Sequence, residues 1–167
     1  MFLRIRVDNY LCYMYKEYSP CSVLAPFIYH FWEYKGETRS GLKFNIPPHG
    51  CSDFVFIVGN AADCIRDSLI MKPYHSYFFG PMNTFTELVA HTNFIHIIGV
   101  RFRPCGLFQF IEIPLNELAN QGIDSQEFPV LFSQSFIYQL CESNQNPIDI
   151  IEHELVRHCL LYTSPSP

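Results

Sequence analysis

The apolar positions of this chain fall into two regimes divided near Pro104. Before it, short apolar runs recur between turn-forming clusters; after it, apolar residues return at helical spacing. Residues 27–34, FIYHFWEY, are almost wholly aromatic or β-branched and lie between Pro26 and Gly36, the pattern of a strand buried on both faces. Leu42–Ile46 predicts a second strand, ending at Pro47-Pro48-His49-Gly50, where proline fixes φ and glycine supplies a conformation other residues avoid. A third follows over 53–58 and closes on Gly59-Asn60. Further strands are expected over 68–71, 76–79, 85–91 and 94–102, with turns at Lys72-Pro73, Gly80-Pro81 and Thr92-Asn93. Short strands at this spacing imply a sandwich or a small barrel.

Beyond Pro104 the period changes. Residues 114–118, PLNEL, open one helical turn, and 129–140 place Phe132, Phe136, Ile137 and Leu140 on one helical face. The clearest helix start is Asn146-Pro147-Ile148-Asp149: an Asn cap, proline at the first helical position and an acid facing the free amides. Ile148, Ile151 and Leu155 then form its buried stripe. The expected fold class is α+β: an antiparallel β-sandwich or cupin-like barrel followed by two or three C-terminal helices.

Composition narrows the picture. At 167 residues the chain is the size of one domain, and 16 Phe with 10 Tyr favour packed sheets over a helical bundle. A net charge of -5 lacks the basic footprint of a free-standing nucleic-acid binder. The seven cysteines are never spaced as a zinc knuckle or redox pair, so they read as reduced, buried thiols of a cytoplasmic protein. No apolar run reaches membrane-spanning length, and no membrane partner is expected. The end, CLLYTSPSP, breaks the helical pattern with two prolines and carries no charge. It resembles a translated sequencing adaptor, which divides the chain into an N-terminal extension (1–12), one domain (13–158) and an adaptor-like tail (159–167).

Tyr18-Ser-Pro20, Leu24-Ala-Pro-Phe27, Phe31-Trp32-Glu33, Ile46-Pro-Pro-His-Gly-Cys-Ser-Asp53, Gly80-Pro81, Gly99-Val-Arg-Phe-Arg-Pro104 and Pro114-Leu-Asn-Glu-Leu118 occur in an order that resembles the N-terminal, cupin-like sensory domain of AraC-type transcription regulators. The resemblance implies an effector-sensing, dimerising domain without catalysis, set ahead of two helix-turn-helix units that contact DNA. No such pair is visible in these residues, and the resemblance places it beyond His158. The motif residues Pro48, Gly50, Asp53, Gly80, Pro81, Gly99, Pro104 and Gly106 are then structural. Two departures stand out: His49 occupies a position where relatives carry an acid, and Cys105 one where they carry a second glycine.

The candidate chemistry starts from Arg101 and Arg103. Alternation along their strand puts both on the face of Ile95 and Ile97, where an unpaired guanidinium costs several kcal/mol. The expected partner is an acid, Asp53 first and Glu87 second, with a ligand anion as the alternative. The candidate ligand-binding set is Arg101, Arg103, His49, Trp32 and Phe56, lining a lumen suited to a small apolar or planar effector. No cofactor is expected. A metal-dependent cupin-like enzyme using His75, His91 or His96 is the alternative, against which the spacing argues, since no His-x-His pair is followed by Glu and only a Thr92-Asn93 hairpin brings His91 near His96. Cys51 and Ser52 are turn neighbours of His49 and Asp53 rather than an aligned nucleophile and base. A ligand-free interaction module is the remaining reading.

Overall fold

The computed structural model describes residues 14–59, 62–64, 69–111, 117–127 and 131–163. Ten strands and two α-helices run through them: β1 (Met14–Tyr18), β2 (Ile28–Glu37), β3 (Leu42–Ile46), β4 (Asp53–Ile57), β5 (Ala62–Cys64), β6 (Leu69–Ile70), β7 (Ser76–Phe79), β8 (Thr86–Ala90), β9 (Phe94–Phe102), β10 (Gly122–Asp124), α1 (Gln134–Glu142) and α2 (Pro147–Thr163). The fold is α+β, with all strand pairs antiparallel. A six-stranded sheet has the order β1-β2-β9-β4-β7-β10, and a four-stranded sheet the order β3-β8-β5-β6.

Strand parity organises two cores. On β4, Phe54 and Phe56 turn toward the helices, where they join Ile98, Val100, Phe132, Ile137, Ile151 and Leu155. Val55 and Ile57 turn the other way, toward Tyr34, Phe44, Ile95 and Ile97. The large sheet is therefore buried on both faces at its centre, and β4 is buried at all five positions. Each such Phe or Ile contributes roughly 1.5–3 kcal/mol by leaving water.

The helices start where their caps demand. The Ser133 side chain accepts from the Phe136 amide, and Asn146 Oδ1 accepts from the Ile148 amide at 3.1 Å. Helix α1 thus begins at Gln134, later than the expected 129, because Ser133 offers the better cap. Residues 128–130 lie outside the described residues, as do 1–13 and most of the expected turn at 114–118.

Several expectations are corrected. Strand β2 reaches both cores, with Ile28 and Phe31 on the helix side and Tyr34 and Trp32 on the other, but it is not buried throughout, since Tyr29 is 53% exposed and Lys35 and Glu37 face solvent. Thr92-Asn93 is a crossover between the two sheets and not a hairpin: β8 pairs with β3 and β5, β9 with β2 and β4. Thr38 holds that crossover, donating to Asn93 O through its amide at 2.7 Å and to Thr92 O through its hydroxyl. Helix α2 continues past His158 through Thr163, with Cys159 4% exposed in the helix-side core. The break expected at Cys159 does not occur, because that side chain extends the stripe of Ile151 and Leu155.

Candidate functional site

Between the two sheets lies a cavity of about 100 Å³. The large sheet contributes Trp32, Tyr34, Val55, Phe79, Ile95 and Ile97; the small sheet adds Phe44, Ile46 and Leu88. Met71 and Met82 close it from the connections, and Tyr15 from β1. The walls are apolar except at one end.

That end is built by register. Asp53, the first residue of β4, stands opposite Arg101 near the end of β9, while Ile57 and Ile97 face each other at the far end. Arg101 donates from Nε to Asp53 Oδ1 and from Nη2 to Oδ2, each at 2.9 Å, a bidentate pair. Trp32 Nε1 donates to the same Oδ1 at 3.4 Å. Asp53 is only 7% exposed at its side chain and Arg101 21%. Burial pulls the Arg101 pKa down, but Asp53 outweighs it and holds the guanidinium above its ordinary value.

His49 completes the cluster. Its backbone is fixed by a reciprocal pair of hydrogen bonds with Met82, at 2.9 and 3.0 Å. Its Nδ1 donates to Cys51 O at 3.2 Å, leaving Nε2 as an acceptor 3.5 Å from Arg101 Nη2 and 3.4 Å from Asp53 Oδ2. Burial lowers the His49 pKa, and Asp53 only partly opposes this. The imidazole is neutral at pH 7. Burial likewise raises the Cys51 thiol, with Arg101 opposing, so it is no ready thiolate.

Gly99 makes the arrangement fit. It lies opposite Trp32 on β2, and a Cβ there would come within 1.9 Å of the indole. Trp32 lies over that gap and so reaches Asp53. Gly106 and Gly80 are held by close backbone instead: a Cβ would meet Phe27 O at 2.1 Å or Leu118 O at 1.8 Å. Pro81 O accepts from the Asn120 amide, and Pro104 follows the end of β9. Gly50 is a correction, since its surroundings are open and its backbone is not left-handed, so the turn after Pro48 does not require glycine there.

Of the five expected ligand residues, Arg101, His49 and Trp32 come together on the cavity and two do not. Phe56 is fully buried on the opposite face, its ring 4.9 Å from Phe132, because it has the parity of Phe54 rather than of Asp53. Arg103 lies one residue beyond β9 and is exposed, donating to Ala25 O at 2.8 Å with its guanidinium 4.7 Å from the Tyr29 ring centre. Glu87, the second candidate acid, pairs with Lys43. The lining residues Tyr15, Phe44, Met71, Met82 and Leu88 were not anticipated. Parity within Leu42–Ile46 and Thr86–Ala90 signals Phe44 and Leu88, but nothing local signals which sheet they join.

The histidines of the metal reading are dispersed. His75 Nδ1 lies 3.1 Å from Asp124 Oδ2, His96 Nε2 lies 2.8 Å from Glu33 Oε1, and His91 follows β8 on the small sheet. Among the described residues no group of three or more His, Cys, Asp or Glu is placed to hold one metal ion. No helix among them is long and apolar enough to cross a membrane.

An antiparallel two-sheet domain with a mostly apolar, partly open cavity between the sheets and helices on its outer face is the class this geometry defines. Residues 16–124 match the model of a family described as Domain of unknown function (DUF6597), and the chain belongs to that family. No curated protein matches it. Among solved structures it is similar to protein Ylba from E. coli, described by the family model DUF861, at 12% identity and a TM-score of 0.41 over 75% of this chain. The chain spans about half of that protein, the match covering 50% of its length.

Proposed function

We propose that this is the effector-sensing and dimerising domain of an AraC-type transcription regulator, with a cupin-like sandwich whose inter-sheet cavity binds a small molecule. DNA contact belongs to a separate helix-turn-helix region, the domain itself is not an enzyme, and the protein works in the cytoplasm. The observation that carries this reading is the cavity, apolar along its walls and closed at one end by Arg101, Asp53, His49 and Trp32. Such a site orients a guest through a few polar groups while burying the rest of it. The ordered sequence motifs supply the regulatory half of the reading.

Recognition suits these side chains better than catalysis does. Arg101 and Asp53 hold each other, His49 is held through Nδ1 by Cys51 O, and burial keeps the Cys51 thiol protonated. Screening the purified domain against a metabolite library by thermal shift tests the site. Binders raise the melting temperature in a concentration-dependent way, and the effect disappears when Val55→Phe fills the cavity. A folded domain that no compound stabilises overturns the sensing reading. Sequencing the source genome past the His158 codon tests the regulatory half: two helix-turn-helix units support it, while a stop codon or an unrelated domain overturns it.

A further inference from the structure

The polar end of the cavity restricts what kind of guest fits, given that the cavity is a ligand site as proposed above. Size comes first. An engineered apolar cavity of about 150 Å³ takes up benzene, so the volume here, about 100 Å³, matches one buried ring, with the flexible Met71 and Met82 yielding where needed, and a second ring would have to extend out of the cavity's open side. Shape and polarity come next. Trp32, Tyr34, Phe44 and Phe79 present ring surfaces along the walls, the charged and imidazole groups gather at one end, and the Tyr15 and Tyr34 hydroxyls also belong to the lining. A sugar or an amino acid needs partners around its whole periphery and would leave several groups unsatisfied.

Charge decides the head group. The Arg101 guanidinium is matched by the Asp53 carboxylate, and the His49 imidazole is neutral, so the end as a whole carries no net charge. A carboxylate guest would set two anions against one guanidinium in a largely buried site, and an ammonium guest would face Arg101 itself. A hydroxyl meets neither penalty. Arg101 bonds through Nε and Nη2, which leaves Nη1 as a donor without a hydrogen bond to any described residue. His49 Nε2 carries the imidazole's lone pair, because Nδ1 holds the proton given to Cys51 O, and its only donor among the described residues is Arg101 Nη2 at a long 3.5 Å, a contact that a guest hydroxyl can take over. The end thus offers one donor and one acceptor side by side, and a hydroxyl both accepts and donates.

We infer that the cavity binds an uncharged, single-ring aromatic bearing a hydroxyl, of the phenol class, with the ring among Trp32, Phe44 and Phe79 and the hydroxyl at the Arg101–Asp53–His49 end. Trp32 is the chain's single tryptophan and lines the cavity, so its fluorescence reports occupancy directly. The test is a titration of the wild-type domain with phenol, toluene and benzoate near pH 7.5, exciting the indole at its red edge where these compounds do not absorb.

Phenol is expected to give a saturable change and to bind at least about tenfold more tightly than either of the others, the worth of one hydrogen bond at a desolvated site. His49→Phe and Arg101→Met are each expected to abolish most of phenol's advantage over toluene. The His49 variant keeps the test decisive if the arginine variant does not fold. Benzoate binding as tightly as phenol overturns the charge argument, and toluene matching phenol overturns the hydroxyl. If none of the three binds but a library compound does, this inference fails while the ligand site stands. If no compound of any class binds, the reading beneath it fails as well.

Discussion

Asp53 accepts from Trp32 and twice from Arg101 while only 7% of its side chain meets solvent, so the pair behaves as one unit. Removing one half strands the other. Arg101→Met should cost about 3–5 kcal/mol in urea unfolding, and the double variant with Asp53→Asn markedly less, because the buried charge is then gone. Equal losses in the single and double variants would mean that the pair is not coupled. Cys105 offers the opposite case. Its φ of 64° is left-handed, a region costing a side-chain-bearing residue about 1–2 kcal/mol, and it stands at the position where the resemblance places a glycine. Cys105→Gly should therefore gain about 0.5–1 kcal/mol after the entropic cost of glycine is subtracted, read from the same denaturation curves.

At the scale of elements, β4 separates two chemistries by parity alone. Phe56→Ala should cost about 3–5 kcal/mol through the void left against Phe132 and Phe136, yet leave ligand affinity within about twofold, since the ring faces away from the cavity. A large loss of affinity in a folded variant would show that the two faces communicate. The same parity marks how far the chain could be read in advance. The strands at 42–46, 76–79 and 94–102 and the stripe of Ile148, Ile151 and Leu155 were legible because long apolar periods impose them. The Arg101–Asp53 pair was legible because a withdrawn guanidinium needs an acid and few lie at strand ends. Phe56 was misplaced because aromatic content drew it toward the lumen, although it is three residues from Asp53 and so on the other face. Strands β5 and β10, of three residues each, show no period to detect. The sheet switch at Thr92-Asn93 has the local look of any two-residue turn, and only the partners chosen by β8 and β9 reveal it.

For the whole molecule, three half-buried histidines govern the response to acid. Burial lowers the pKa of His30, His49 and His96, in each case against a nearby carboxylate. Well above about pH 6.5, the unperturbed histidine pKa, these imidazoles are neutral in both folded and unfolded chains and cost nothing; as the pH falls through that value the unfolded chain binds protons that the folded one resists. Glu33 works in the same direction at lower pH: burial favours its protonation, but hydrogen bonds from His96 and Tyr18 prevail and hold its carboxyl below the ordinary value. The urea midpoint should be flat above about pH 7 and fall steadily from about pH 6.5 downward, with His96→Gln reducing the slope. A midpoint that rises on acidification would contradict the sign. The position of β9 bears on how the chain reaches this state at all. Although β2 and β4 come early in the sequence, β9 lies between them and pairs with both, joining Trp32 to Gly99 and Val55 to Gly99 across long loops. The large sheet cannot close until its ninth strand arrives, so the folding rate is set by distant pairings that form late, and a nascent chain ending before Phe94 has no way to seal its own core.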